Sequence, residues 1–158
     1  MVVITDLASF AARVGLDADS ALLSQALTHS SYATEHDLVS NERLEFVGDA
    51  VVGLAVADHV VASYPALNEG QASVLRSRVI NENALADAAR LVDVGSVLRV
   101  GKGVLKENGL ERPSLLADAF EAVVAAIYLE KGSLISCDAE LRGADVCRRT
   151  ASSPFRRS

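Results

Sequence analysis

Apolar residues recur along most of the chain three or four positions apart, which is the spacing of an α-helix. This period predicts helices separated by turn residues. The first two helices begin behind caps at 5–6 and 19–20. A third helix covers about 41–61, and a fourth covers about 71–91, with a break near Asn81 as an alternative. The last helix covers 114–130 behind a Ser114 cap. Stop signals fall where these helices should end, at Gly15, at Tyr64 before Pro65, and at Gly132.

The segment 93–113 has no helical period and contains four glycines, so the sequence predicts a loop with a short extended piece at 97–100. Valine favours strands, but the abundant valines follow the helical period. We therefore predict an all-α fold with one domain at 1–132. Residues 133–158 hold five arginines and no apolar stripe, which predicts a basic, poorly patterned C-terminal tail.

Composition supports a folded domain and excludes a disordered chain, because 50% of the 158 residues are hydrophobic and 23% are charged. The longest run without a charged residue, 20–34, is too short and too polar to span a bilayer. The first ten residues have no basic side chain, unlike a secretory signal. We expect a cytoplasmic protein that does not contact a membrane.

The net charge of −6 is unevenly placed, with an excess of arginine near the C-terminus and an acidic remainder. An acidic protein usually binds nucleic acid poorly, since phosphate contacts use Lys and Arg. This objection weakens if several carboxylates converge on metal cations.

Two predicted helices carry acids in otherwise apolar surroundings. Glu42, Glu45 and Asp49 share one face of the long helix, and Asp118 and Glu121 are three apart on the last helix. Carboxylates brought together in an apolar setting need neutralising by protonation, by arginine or by a divalent cation. Carboxylate oxygens suit Mg²⁺ or Mn²⁺, and no His or Cys lies nearby in the sequence to favour zinc.

These patterns leave alternatives open. The acids can equally be a solvated surface or partners of Arg43, Arg76 or Arg78. Two glycines beside the stripe, Gly48 and Gly53, favour close helix packing that would bring the acidic pairs together.

Four blocks of sequence resemble the ribonuclease III family. The stretch NERLEFVGDAVVGL at 41–54 resembles its signature motif, and three blocks follow the family's order: ALTHSSY at 26–32, EGQASVLRSRVINENALA at 69–86 and SLLADAFEAVVAAIYLE at 114–130. The resemblance covers about 22–132. It implies an all-α endonuclease domain that forms a homodimer through the signature helix.

The resemblance also implies roles for individual residues. Glu45, Asp49, Asp118 and Glu121 match four metal-binding carboxylates, of which Asp49 and Glu121 are also expected to be catalytic. Glu42 and Glu69 match acids that help to assemble the catalytic site. Asn41 matches a residue near the RNA, and Phe46 matches an aromatic dimer contact. Two Mg²⁺ ions are expected, with Mn²⁺ as a substitute. Arg76, Arg78 and Lys102 are candidate phosphate contacts because of their charge.

The expected function is a Mg²⁺-dependent endoribonuclease that hydrolyses double-stranded RNA as a homodimer in rRNA or mRNA precursor processing. The length leaves no room for the RNA-binding domain that bacterial members usually carry. Alternatives are a noncatalytic dimer that binds structured RNA, a small ribosomal-RNA maturase without that domain, and a fold whose acids are only surface charge.

Overall fold

The computed structural model describes residues 6–132, and the regular structure of this part is helical. The predicted basic tail at 133–158 lies outside the described residues. Eight α-helices follow in order: α1 Leu7–Arg13, α2 Ala21–Ala26, α3 Ser30–His36, α4 Glu42–Ser63, α5 Glu69–Val79, α6 Glu82–Val92, α7 Lys102–Lys106 and α8 Pro113–Lys131. Short 3-10 turns occupy Val94–Ser96 and Gly109–Glu111. The prediction of an all-α fold is confirmed.

Several helix boundaries follow from side chains that the sequence makes visible. Asp6 and Ser20 cap α1 and α2 by accepting hydrogen bonds from backbone N–H groups two or three residues into each helix. The break predicted near Asn81 is present, because the Asn81 side chain accepts from the N–H of Ala84 and starts α6. Gly132 ends α8 with a φ of 67°, which glycine adopts at little cost.

The structure corrects three predictions. The segment 93–113 is not simply a loop, because it contains α7 and both 3-10 turns, although an extended contact between Thr28 and Arg99 agrees with the piece predicted at 97–100. Helix α3 was not predicted. The last helix begins at Pro113, in the first helical position, and Ser114 does not cap it. Helices α3 and α7 have seven and five residues and show no clear helical period, so tertiary contacts decide them.

The core is organised around α8, which buries residues on nearly all sides and packs against α4, α6 and α2. Gly48 allows the closest of these approaches. A Cβ at Gly48 would lie 1.9 Å from the carbonyl oxygen of Glu121, so a side chain at this position would collide with the α8 backbone. The prediction that glycine brings the two acidic helices together is therefore confirmed at Gly48. Gly53 instead faces the Arg76 side chain of α5.

Helix α4 is long and apolar enough to cross a membrane by length and composition alone. Its acidic first turn and its packing against α8 are features of the central helix of a helical domain. Only 28% of its most apolar window is buried, because one side of the helix is not covered by another part of residues 6–132.

Candidate active site

Three carboxylates converge where α4 crosses α8. Glu45 projects from α4, and Asp118 and Glu121 project from adjacent turns of α8. One oxygen from each side chain lies within 4.8 Å of the other two, and all three side chains are half-buried. We call these residues the carboxylate cluster. The backbone contact at Gly48, one turn after Glu45, sets the short distance between the two helices here.

No lysine or arginine side chain forms an ion pair with the carboxylate cluster within residues 6–132. The two ion pairs in this range join Arg90 to Asp87 and Arg112 to Glu107, both on the surface. Arg43, Arg76 and Arg78, which the sequence offered as partners, form no ion pair with the three carboxylates. The described residues therefore do not neutralise this charge by pairing with arginine. Protonation and a bound cation are the two remaining ways to neutralise it.

Burial, together with neighbouring acids, raises the pKa of every member of the cluster. Burial raises the pKa of Glu121 to about 7, helped by the negative charges of Asp49, Asp118 and Glu45. Burial is also the first cause of the raised pKa of Glu45, followed by the charges of Asp118, Glu42 and Asp49. The pKa of Asp118 is raised for the same first reason. The ionised cluster is thus electrostatically unfavourable without a positive charge.

Asp49 and Glu42 flank the cluster on α4. Asp49 lies one turn after Glu45 and is exposed, and its charge acts on Glu121 and Glu45. Glu42 lies one turn before Glu45, and its carboxylate accepts a hydrogen bond of 2.7 Å from the Ser40 hydroxyl. The structure therefore places both predicted acids beside the cluster, at its more exposed edge.

Two further charged or titratable residues lie close to the cluster and were not assigned to it from sequence. Glu82, in the first turn of α6, raises the pKa of Asp118, whereas His29 lowers it. The expectation of no histidine nearby holds along the sequence but is wrong in space. The ALTHSSY block is the sequence feature that contains His29, and the structure shows that His29 caps α3.

Comparisons with known proteins agree with this geometry. The sequence pattern of the family described as Ribonuclease-III-like matches residues 19–136. The chain belongs to this family. Among its relatives, ribonuclease 3 of Streptomyces coelicolor is 48% identical over 121 residues, 76% of this chain, and ribonuclease 3 of Thermobifida fusca is 45% identical over 124 residues, 78% of this chain. The chain spans 44% and 52% of the length of these two proteins, or about half.

Two solved structures of the nuclease domain of ribonuclease III from Campylobacter jejuni have the same fold. One is 31% identical with a TM-score of 0.74, covering 95% of this chain and 99% of that domain. The other is 30% identical with a TM-score of 0.70, covering 94% and 95%. This ribonuclease III-like chain therefore corresponds to the nuclease-domain part of its longer relatives.

Glu69 and Asn41 lie in different settings from the cluster. Glu69 is exposed in the first turn of α5, where its carboxylate accepts a 3.0 Å hydrogen bond from the Ser73 hydroxyl. Asn41 is only 2% exposed, and its side-chain amide donates to the carbonyl oxygen of Ala26 at 3.3 Å. The Asn41 side chain is thus used inside the protein, where it joins the end of α2 to the start of α4, and its contact with RNA stays a prediction.

The side chains predicted to contact phosphate, Arg76, Arg78 and Lys102, are all exposed. The Arg76 guanidinium lies against Gly53, one helical turn beyond Asp49, and Arg78 follows in the last turn of α5. Lys102 begins α7, and its backbone N–H donates to the Glu35 carboxylate on α3 at 2.9 Å. None of the three basic side chains forms an ion pair with another described residue, so each is available to an anionic ligand.

Phe46 points away from the cluster and is 81% exposed, the highest value among the large apolar side chains of the described residues. Leu54 and Val61 follow on the same side of α4 and are 56% and 69% exposed. We call these three residues the outer stripe of α4. An exposed apolar stripe of this kind is typical of an interaction surface.

Proposed function

We propose that this chain is the nuclease part of a divalent-metal-dependent endoribonuclease that hydrolyses phosphodiester bonds in double-stranded RNA. The observation that carries the proposal is the carboxylate cluster, in which three acids converge without a basic partner among the described residues. A protein that only bound RNA would gain nothing from negative charge concentrated at one point. Its membership of the ribonuclease III-like family supports the same conclusion.

The donor set fits a hard divalent cation. Glu45, Asp118 and Glu121 would hold it through oxygen atoms that already lie within 4.8 Å of one another, and Asp49 would add a fourth carboxylate from the next turn. Four carboxylates suit two Mg²⁺ ions, with Mn²⁺ as a substitute. When bound, such ions activate a water molecule for attack on phosphorus and stabilise the negative charge of the departing oxygen.

The protein's own side chains prepare this site in distinct ways. Glu121 has to lose its proton before it can serve as a ligand, because its pKa lies near 7. Glu42, exposed and oriented by Ser40, is placed to accept a hydrogen bond from a water molecule at the edge of the cluster. Glu69 lies in α5, outside the cluster, and we propose that this acid from a third segment helps to orient the water molecule.

Double-stranded RNA fits the distribution of basic groups around the acids. Arg76 and Arg78 lie on the α5 side of the cluster and Lys102 lies on the α3 side. A duplex lying across the cluster could place phosphates against both sides. Contacts of this type read the shape of A-form RNA rather than its sequence.

A second copy of the chain is the partner proposed for the outer stripe of α4. Phe46, Leu54 and Val61 present a row of apolar side chains suited to self-association about a two-fold axis. The region involved in dimer formation has been described for the similar Campylobacter jejuni domain, which supports this assignment. A dimer would carry two clusters and could cut both strands of one duplex. The proposed site of action is the cytoplasm, in RNA precursor processing, without membrane contact.

A cleavage assay tests the proposed function. Purified protein is incubated at low salt with a long perfect RNA duplex, in Mg²⁺ or in EDTA, and a DNA duplex of the same sequence is the matched control. We expect shortening of the RNA in Mg²⁺ only and no cutting of the DNA. An RNA duplex that is bound but stays intact in Mg²⁺ and Mn²⁺ would contradict catalysis and favour a noncatalytic RNA-binding dimer.

A ribosomal-RNA precursor in the same assay addresses the alternative of a maturase specialised for one RNA. We expect the generic duplex and the precursor to be cut at comparable rates. Cutting restricted to the precursor would contradict a general double-strand nuclease.

A further inference from the structure

The ring of His29 is fixed in one tautomer by its neighbours. The backbone N–H of Ser31 donates to Nδ1 of His29 at 3.2 Å. A backbone amide can only donate, so Nδ1 must accept and carries no proton. In the neutral ring, the proton is therefore on Nε2. Burial lowers the pKa of His29, which favours the neutral ring, while Asp118 and Glu42 act in the opposite direction.

A second hydrogen bond fixes the same orientation. The Ser31 hydroxyl oxygen accepts from the backbone N–H of Gly101 at 2.8 Å, which leaves its own proton free to donate to Nδ1 of His29, also at 2.8 Å. The backbone N–H of His29 in turn donates to the carbonyl of Arg99 at 3.0 Å. The segment before α7 thus holds both the main chain and the ring of His29.

The opposite edge of the ring has no partner. No hydrogen bond or ion pair of the described residues involves Nε2 of His29. No buried polar side-chain atom of these residues lacks a partner, so the unpaired Nε2 has to be accessible. The ring is near Asp118 and Glu42, whose charges act on it, yet it forms no ion pair with either within 4.0 Å. The Nε2–H donor of His29 is therefore held beside the carboxylates and is accessible to a ligand.

We propose that His29 is an RNA-binding residue whose Nε2–H donates a hydrogen bond to a phosphate oxygen of the strand lying at the carboxylate cluster. The inference rests on the proposed function, since it takes RNA as the ligand. A phosphate oxygen is only an acceptor and therefore matches a ring whose free nitrogen is only a donor. The held tautomer means that this donor does not have to be reoriented when RNA binds.

Two substitutions separate RNA binding from helix capping at this position. In His29→Asn, the side-chain oxygen is placed to accept from the Ser31 N–H, so the cap of α3 is retained and the distal donor is lost. In His29→Gln, the longer amide can present an N–H near the position of Nε2, while the cap is weakened. His36→Asn on the exposed end of α3 is the matched control.

The readouts are duplex RNA affinity in Ca²⁺, by fluorescence anisotropy, cleavage in Mg²⁺, and the melting temperature. Gels run on the anisotropy samples show that the RNA stays intact. We expect His29→Asn to weaken RNA binding roughly five- to tenfold, the loss of one hydrogen bond, with an unchanged melting temperature. We expect His29→Gln to retain most of the affinity and to melt at a lower temperature.

The opposite pattern would overturn the inference. If His29→Asn binds and cuts RNA like the unmodified chain, while His29→Gln loses activity in proportion to stability, the residue is only a helix cap. Failure of the unmodified chain to bind duplex RNA would overturn the inference together with the proposed substrate. Binding without cutting would contradict the proposed catalysis alone, and the affinities of the variants would still decide the role of His29.

Discussion

The two sides of α4 carry different side chains and have different neighbours. The side facing α8 brings Glu45 to two acids of the neighbouring helix at the contact made by Gly48. The opposite side carries Phe46 and the rest of the outer stripe, which no described residue covers. The inner side concentrates negative charge, which a bound cation would neutralise. The outer side exposes apolar area, which a protein partner would bury. One helix thus joins the proposed catalytic and assembly surfaces.

The largest expected effect is a loss of RNA cleavage that leaves dimer formation intact. In Glu121→Gln, the amide keeps the shape but loses the charge that holds a cation, so we expect cleavage of duplex RNA to fall by about a hundredfold or more. Dimer formation and RNA binding should be largely retained, and Asp118→Asn should behave alike. The measurements are single-turnover cleavage and sedimentation velocity.

The matched control for Glu121→Gln is Glu130→Gln, the same change on the same helix, where the oxygen that accepts from Ser20 can be retained. This control should cut normally. Ordinary cleavage by Glu121→Gln would remove that residue from the catalytic site.

A second change tests the helix contact itself. In Gly48→Ala, the added Cβ would meet the backbone of α8, so we expect the free energy of unfolding to fall by about 1–3 kcal/mol in urea titrations. Gly53→Ala is the matched control, because its Cβ would meet only the end of the flexible Arg76 side chain at 2.9 Å. Equal losses of stability in both variants would contradict the contact at Gly48.

The outer side is tested by Phe46→Ala. Removing the most exposed aromatic of the stripe should weaken the monomer–dimer equilibrium by about tenfold or more, because large apolar side chains dominate such interfaces. Analytical ultracentrifugation over a range of concentrations measures this constant. Leu91→Ala, an exposed leucine on α6, is the control and should leave dimerisation unchanged. An unaltered constant in Phe46→Ala would exclude that residue from the interface.

The pH dependence of cation binding tests the charge on the inner side. With a pKa of about 7, Glu121 is mostly protonated at pH 6 and mostly ionised at pH 8 in the metal-free protein. A cation has to displace this proton at the lower pH, so we expect the apparent Mn²⁺ affinity to be roughly tenfold weaker at pH 6 than at pH 8. Calorimetric titration at the two values measures it, and equal or tighter binding at pH 6 would contradict the assignment.

The smallest expected effect concerns stability without metal. Because folding raises the pKa of Glu121 above its ordinary value of 4.5, the folded state holds a proton that the unfolded chain releases, and Glu121 costs stability as the pH rises toward 7. In EDTA, Glu121→Gln should therefore melt above the unmodified protein at pH 8, with the difference shrinking as the pH falls through 7 and vanishing only below the ordinary pKa of 4.5. A lower melting temperature for the variant at pH 8 would show that the ionised carboxylate is stabilised in some other way.

The sequence predicts the long helices α4 and α8 and the capped short helices α1 and α2, but it misses the short helices α3 and α7. Helices α4 and α8 have enough residues to show a clear period, and the glycine at Gly48 indicates that they can approach closely. Helices α3 and α7 depend instead on contacts between distant parts of the chain, such as the Ser31 hydroxyl accepting from Gly101. No local pattern encodes such a contact.

The candidate site divides in the same way. The pairs of acids are visible from their spacing, because helical geometry alone puts Asp118 and Glu121 on one face. The nearness of His29 and Glu82 to Asp118 is not visible, since three separate helices bring them together. Nor does the sequence show that Asn41 turns inward, because its burial depends on the packing of α2 against the start of α4.

The most direct test of the account is calorimetric titration of the metal-free chain with Mn²⁺ and Mg²⁺ at pH 8, beside Glu121→Gln and Glu130→Gln. We expect the unmodified chain and Glu130→Gln to bind the cation alike, and Glu121→Gln to bind it at least tenfold more weakly. Equal binding by all three proteins, or no binding by any, would show that the carboxylate cluster is not a cation site.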